Sequence, residues 1–524
     1  MTSPTSPTSS NRVTLRIPIR PVTWSVLLGL AAALVPLFTP NGGLHAWAYD
    51  TGVYFGASIR LVHGVLPYRD FALMHPPGIE LLLSPISALS YLVGTSTSVV
   101  FARLATIACM AANAGLVALL TRRRGAIGAL CGGAFLALYA ASAQSDTVVM
   151  LEPFLVLFCL AAFWVAFGEN SFSAPRRAWW AGVLLGVAGL IKIWAIFVLI
   201  PFAIVYFLYQ RANTTRVLGG AITSFTLGAL PFIAFAPSAF VHNIITSQVL
   251  RTNGTLESFS LLTRFRLCVY FLWRPLCSSF AEATLTGVAL LIITIVVVWA
   301  SRRELRALEV TAIISILCIG FSLATSKQFY SYYIYFVAPF VGIVLAFVVN
   351  SIARHVAGAI RARPASTAAV RAVASAVLVL AVVAFASASW NNSSSTTSRR
   401  GATPDLAFIQ RAIPAGACVS SNNVVMLMLA NRFNPTTGHC PAVLDPFGLW
   451  LDLAPKHPQP SPASEVPQVT QAWQSIFAQS SYVVLDSGLN YLIPWTPALW
   501  SWFNHHFATL ARQDDLVVYI NIAH

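Results

Sequence analysis

Long apolar runs separated by short polar turns dominate residues 22–389. Runs at 22–40, 97–121, 126–143, 148–167, 217–236, 284–300, 308–325, 334–350 and 372–389 each suit a single helical crossing of a bilayer. The run at 179–209 is too long for one crossing and reads as two short spans broken near Gly189-Leu-Ile-Lys-Ile193. Residues 79–94 are apolar but short and end in Gly-Thr-Ser, which fits a helix lying along the interface or re-entering. The pattern predicts about eleven spans. Past residue 390 the hydropathy drops. An Asn/Ser/Thr-rich stretch at 391–400 reads as a linker. Strand-like runs at 418–421, 481–486 and 516–521, with a helical signal at 471–479, predict a small α/β domain over 401–524.

Charge gives the spans a direction. Arg122 to Arg124, Arg176, Arg177, Arg211, Arg216, Arg302, Arg303, Arg306 and Arg354 all fall in turns on one side of this threading, as do Arg12, Arg16 and Arg20 in the stretch 1–21, which reads as a disordered cytoplasmic N-terminus, low in complexity over 1–10. A bias of Arg toward one side marks the cytoplasmic face. The same threading leaves loops 41–96 and 237–283, and the tail, outside the cell. The expected product is a multi-pass plasma-membrane protein with an uncleaved first span.

Composition agrees: 57% of the 524 residues are hydrophobic, mean hydropathy is +0.72 and only 9% are charged. A net charge of +15 is accounted for by the turn arginines, with no basic patch carrying aromatic platforms, so nucleic acid is excluded as a partner. Of eight cysteines, Cys109, Cys131, Cys159 and Cys318 sit in apolar runs. Cys418 and Cys440 suit a disulfide in an oxidising compartment, and Cys268 with Cys277 is a weaker second pair. No Cys/His spacing reads as a zinc site.

Against so apolar a background, the polar residues of the first outer loop stand out: Asp50, Arg60, Arg69, Asp70 and His75. The threading adds Asp146 and Glu152 from the next outer turn, and Lys192 and Lys327 from later ones. Ionisable groups near hydrocarbon are costly and mark functional sites. Carboxylates beside lysines suit transfer from a phosphorylated donor: a carboxylate takes a proton from the attacking hydroxyl, and cations stabilise the departing phosphate. Arg69 is a further candidate phosphate contact. Tyr49, Tyr54, Tyr68, Tyr332 and Tyr333 supply faces on which a sugar stacks, with Arg60, Asp70 and His75 as polar contacts. Structural roles compete with these readings. Asp50 and Glu152 sit where helices start, Asp70 has Arg60 and Arg69 as salt-bridge partners, and Lys192 and Lys327 suit interfacial anchors.

The order Tyr49-Asp50, Gly64-Val-Leu-Pro-Tyr-Arg-Asp-Phe71, His75-Pro-Pro-Gly78, Arg103, Leu151-Glu-Pro153, Gly189-Leu-Ile-Lys192 and Lys327-Gln-Phe-Tyr-Ser-Tyr-Tyr333 resembles the GT-C glycosyltransferases. The aminoarabinose-transferase and protein O-mannosyltransferase branch is the nearest in pattern. The resemblance covers residues 22–350. It implies a GT-C-like transmembrane catalytic domain over 22–390 and a polyprenyl-phosphate-linked sugar donor. It also implies an acceptor in the cell-envelope glycan or lipid, Asp50 as general base, and Asp146 or Glu152 as second acidic group. Lys192 and Lys327 would contact the donor phosphate. Ala/Arg/Val-rich usage narrows the expectation to an actinobacterial arabinosyl- or mannosyltransferase. The family often places an acidic residue after the first Asp, where this chain has Thr51. A divalent metal, Mg or Mn, therefore stays open, since one carboxylate is a poor divalent site and Asp70 is the alternative second ligand.

Two rival classes make different demands. A flippase for lipid-linked sugars calls for charges at mid-membrane depth and internal repeat symmetry, and neither is visible here. A non-catalytic assembly subunit predicts that Asp50→Asn changes nothing.

Overall fold

Runs of Leu, Ile, Val, Ala and Phe leave their backbone groups no polar partners in a bilayer, so they satisfy them internally as helices. The computed structural model describes residues 20–34, 48–142, 148–168, 172–251, 260–273, 279–326, 328–361, 406–456 (except 437, 439 and 442) and 466–523. The helices run in order α1 (Pro21–Leu34), α2 (Tyr49–Val62), α3 (Gly78–Ala88), α4 (Ser90–Thr121), α5 (Ala126–Ser142), α6 (Leu151–Phe167), α7 (Pro175–Ile191), α8 (Ile196–Tyr209) and α9 (Arg211–Phe235). They continue as α10 (Pro237–Val241), α11 (Ser247–Leu250), α12 (Leu261–Trp273), α13 (Phe280–Ala300), α14 (Ala307–Thr325) and α15 (Ala338–Arg361). Among the described residues, α4, α9, α13, α14 and α15 are long and apolar enough to cross a membrane, and α1, α3, α5, α6 and α8 are shorter apolar helices. The expected span at 372–389 and the linker at 391–400 lie outside the described residues.

The long run at 179–209 divides as α7 and α8, and the break falls at Lys192, whose backbone is extended between them. The interfacial stretch forms α3 and the start of α4. The chain bends at Gly94, which takes φ +79°, a conformation strained for any side chain. Leu81, Leu82, Leu89, Tyr91, Leu92 and Val93 remain exposed there, an apolar edge of the kind that lies in a membrane interface.

The arginine turns gather at one end of the helices. Arg124 donates to Glu309 at 2.6 Å and to the Glu304 carbonyl at 2.8 Å, and Arg354 also pairs with Glu304. Asn213 bonds the Ser173 carbonyl at 3.1 Å, which joins the two turns beside Arg176 and Arg211.

The C-terminal segment carries α16 (Ala407–Ala412), α17 (Val424–Leu429), α18 (Pro446–Leu453), α19 (Pro467–Ala478) and α20 (Pro497–His506) around strands β1 (Val419–Ser421), β2 (Tyr482–Asp486), β3 (Phe507–Gln513) and β4 (Leu516–Asn521). Sheet order is β1-β2-β4-β3, with β1 parallel to β2 and the other pairs antiparallel. Alternation along β2 assigns its two faces. Val483 and Leu485 pack with Trp450, Trp473 and Phe503 in a core of the tail's own. Val484, with Leu516 and Val518 of β4, joins the core that continues through α17 and α2 into the membrane helices. The tail is therefore fused to the helical body through one face of its sheet. Cys418 and Cys440 form a disulfide across the loop that holds α17. Cys277 lies outside the described residues.

Candidate active site

Helix α2 is buried from Thr51 to Arg60, unusual for a helix in a polar loop. Its small residues explain how. A Cβ on Gly52 would lie 2.7 Å from the Val425 backbone nitrogen, so α17 of the tail packs directly on the α2 backbone. Asp50 lies in the first turn of α2, where the helix dipole favours a negative charge. Thr51 accepts a hydrogen bond from the Val149 backbone N–H at 3.1 Å, which ties α2 to the chain entering α6. The residue that departs from the family pattern thus has a structural task.

Glu152 lies in the first turn of α6 and Lys192 at the α7–α8 break, and the two meet as a buried pair with Nζ 2.6 Å from Oε1. The Lys192 ammonium also lies 3.9 Å from the Trp194 ring centroid and 4.3 Å from that of Tyr333. Lys192, Trp194 and Tyr333 border a cavity of about 610 Å³, within the range of small-ligand sites, and Glu152 is not among its lining residues. Tyr49, Asp50, Tyr54, His75, Lys192, Tyr332 and Tyr333 line it. Lys327 and Asp146 lie outside the described residues.

Besides Glu152, four predicted contacts do not line the cavity, each for a visible reason. Arg69 and Asp70 form an exposed pair at 2.7 Å. Asp70 also accepts from the Leu66 N–H at 2.7 Å, so the two build the 64–71 turn. The Arg69 hydrogen bond, helped by the Leu66 N–H, holds the Asp70 carboxyl below its ordinary range. Tyr68, at φ +68°, donates its hydroxyl to the His75 carbonyl at 2.5 Å and shapes the approach to Pro76. Arg60 is buried between the rings of Phe71 and Phe433, 5.7 and 5.4 Å from their centroids.

The structure adds residues that sequence reading did not place in the site. Arg251, at the end of α11, lines the cavity with its guanidinium 4.7 Å from the Phe447 ring centroid. Its Nε is buried and has no hydrogen-bond partner among the described residues. Gln248 and Tyr330 line the same wall. The tail closes the cavity with Asp445, Phe447, Leu451 and Tyr491. Asp445 accepts the Tyr49 hydroxyl at 2.5 Å, and the Phe447 N–H donates to the same hydroxyl at 3.1 Å. In the sequence Arg251 is one of several loop arginines, and Leu444-Asp445-Pro446 reads as an ordinary turn.

The electrostatics set Asp50 apart from His75. Burial raises Asp50 to about 7, with Glu152 and then Asp445 adding to the effect and Lys192 opposing it. A carboxyl tuned this way is basic enough to remove a proton near neutral pH. Burial, then Lys192 and Arg251, lowers His75 to about 3, so the imidazole is neutral, with its ring edge-on to Tyr54 at 5.7 Å. Among the described residues no group of three or more His, Cys, Asp and Glu side chains is arranged to hold a metal ion, so no chemical step is assigned to one.

The description Glycosyltransferase family 87 matches residues 73–326. The fold is similar to that of ArnT from Cupriavidus metallidurans, solved bound to undecaprenyl phosphate, at a TM-score of 0.58 and 14% identity over 96% of this chain and 97% of that one. It is also similar to the Archaeoglobus fulgidus oligosaccharyltransferase, solved with zinc and sulfate, at 0.53 and 11% identity over 93% of this chain and 71% of the other. The archaeal AglB from the same organism, in complex with an inhibitory peptide and a dolichol-phosphate, gives 0.52 and 11% over 93% and 72%. No curated protein matches by sequence.

Proposed function

We propose that the chain is a membrane glycosyltransferase of the GT-C type, which moves a sugar from a polyprenyl-phosphate-linked donor to a hydroxyl of an extracytoplasmic cell-envelope glycan or lipid; the family match and the shared fold support this reading. The observation that carries this reading is one cavity holding a buried, proton-accepting Asp50 and a guanidinium, Arg251, with an unsatisfied Nε, beside sugar-sized aromatic walls. Two structural relatives were solved with polyprenyl-type phosphates, undecaprenyl phosphate in ArnT and dolichol-phosphate in AglB, which supports a lipid phosphate as the anionic part of the donor.

The reaction is a single displacement. The acceptor hydroxyl attacks the anomeric carbon while Asp50 takes its proton. The bond from that carbon to the phosphate oxygen breaks on the opposite side, and the polyprenyl phosphate leaves with the electron pair, so configuration inverts. Arg251 holds the phosphate. Its planar fork of donors fits two phosphate oxygens, and among the described residues its Nε is unclaimed, whereas Lys192 is already matched by Glu152. Lys192 then acts mainly through its ion pair with Glu152, from which its ammonium holds the Trp194 and Tyr333 rings beside the sugar. Arg turns at the opposite end of the helices support a cytoplasmic position for that end, and hence an extracytoplasmic site and tail. Arabinose and mannose are the donor sugars to try first.

Purified protein given radiolabelled polyprenyl-phosphate arabinose or mannose and an envelope-glycan extract tests the assignment. Wild type transfers label. Asp50→Asn loses about 10²- to 10⁴-fold in turnover, the usual share of a general base. If no polyprenyl-phosphate sugar is consumed, the transferase reading is overturned. If the Asn variant runs at the wild-type rate, Asp50 is not the base.

A further inference from the structure

We propose that Asp445 is a positioning residue for the transfer reaction, clamping the first turn of α2 through Tyr49 so that the carboxyl of Asp50 is held toward the substrates. The proposal rests on the reading of Asp50 as the base.

The start of α2 is weakly held by its own chain. Ala48 precedes the helix and offers no side-chain cap. The first turn is anchored instead by its side chains. Thr51 holds the Val149 N–H, and Tyr49, next to Asp50, reaches across 396 residues of sequence to the tail. The Tyr49 hydroxyl has one proton to give, and it goes to Asp445 at 2.5 Å. The same oxygen accepts from the Phe447 N–H at 3.1 Å. A hydroxyl engaged twice by the tail is a strut.

The other end of the strut is firm. Asp445 precedes α18, and its carbonyl accepts the Leu449 N–H at 2.8 Å. Trp450 and Leu451 of α18 are about 1% exposed, and Trp450 is part of the tail core. The Asp452 carbonyl meets His242 Nε2 at 2.9 Å, which fastens α18 to the turn before α11. A well-packed tail element thus adds a second anchor, beside Thr51, to the first turn of α2. A misplacement of about 1 Å at a reacting group can lower turnover about a hundredfold.

Charge adds a second effect. Asp50 is faced by Glu152 from α6, Asp445 from the tail, Lys192 from the α7–α8 break, Tyr54 from its own helix, and Tyr330, Tyr332 and Tyr333 from the segment before α15. Arg251 and His75 border the same cavity. Of these, Glu152 and Asp445 are the negative ones, and each makes Asp50 a stronger base.

The test compares full-length Tyr49→Phe, Asp445→Asn and Asp50→Asn with wild type. Turnover, KM and the pH profile are measured with a radiolabelled polyprenyl-phosphate sugar, and a thermal melt serves as the folding control. Tyr49→Phe removes one oxygen and keeps the packing. Its turnover is expected to fall about ten- to a hundredfold with donor KM changed less than about twofold. Asn at 445 still accepts the Tyr49 proton but lacks the charge. Its acid limb of activity is expected to move to lower pH, with a smaller loss of turnover. The two changes combined should cost less than the product of the separate losses. The proposal is overturned if Tyr49→Phe keeps wild-type turnover while Asp50→Asn is inactive. It is equally overturned if Asp445→Asn raises acceptor KM and leaves turnover and pH profile alone, which makes Asp445 a direct acceptor contact. An active Asp50→Asn protein overturns the base assignment itself, and this proposal with it.

Discussion

Lys192 and Glu152, both prominent in the sequence, meet in the fold as one buried ion pair. Both are nearly inaccessible to solvent, and each is the other's counter-ion at 2.6 Å. Removing one charge leaves the other buried alone, which costs about 3–5 kcal/mol. Glu152→Ala should therefore lower the melting temperature of the purified protein sharply, and a Glu152→Ala/Lys192→Met double variant should recover part of the loss. At Arg251 the balance is the reverse, because its function is argued from the charge it offers to a ligand. Arg251→Lys keeps the charge but loses the fork, so donor KM should rise several-fold or more while the melt stays near wild type. An unchanged KM would remove Arg251 from the phosphate site. Asp50, Glu152 and Lys192 are legible in the sequence because a charge at the end of an apolar run is rare. Asp445 and Arg251 are not, since they sit in polar stretches where a charge is ordinary, and only folding brings residues 49, 251 and 445 to one cavity.

At the scale of elements, the close pair α7 and α9 is made possible by missing side chains. A Cβ on Gly182 would fall 2.1 Å from the Val217 carbonyl oxygen, and one on Gly186 would fall 2.2 Å from that of Ala221. Small residues four apart let two membrane helices approach backbone to backbone. Gly186→Leu has no room and should separate the pair, displacing Lys192 at the end of α7. Loss of the folded, monodisperse protein in detergent is the expected result, and a wild-type melt would refute the packing argument. Most of these helices are readable from hydropathy, because a bilayer demands an uninterrupted apolar run. Strand β3 is not. Its burial alternates poorly, with Thr509, Leu510, Arg512 and Gln513 largely outside the core, and it begins directly after α20 with no turn residue between them. An edge strand with a weak pattern offers little for periodicity to detect. The fusion of the tail sheet to α2 is equally hidden, since Val483 and Val484 look alike in sequence yet face different cores.

Across the whole molecule the charges sort by end. Helix α4 starts beside the tail, where Thr95 donates to the Met428 carbonyl at 2.7 Å. Past the bend at Gly94 it runs straight on to Thr121, about 40 Å at 1.5 Å per residue, enough to cross the hydrocarbon core of a bilayer. Helix α14 runs from Glu309, which holds Arg124, to Thr325 near the cavity-lining Ser326, and α15 returns from the aromatic wall to Arg354. Three long helices thus agree on which end carries arginine and which carries the cavity and tail. If the arginine end is cytoplasmic, a cysteine placed at exposed Gln471 of α19 is reached by a membrane-impermeant maleimide on intact cells. One at exposed Arg122 is reached only after permeabilisation, both variants being made with the free cysteines replaced. Labelling of both positions in intact cells would overturn the threading. It would also remove the argument that the acceptor comes from outside, because Asp50 and the tail are joined through Tyr49 and must lie on the same side.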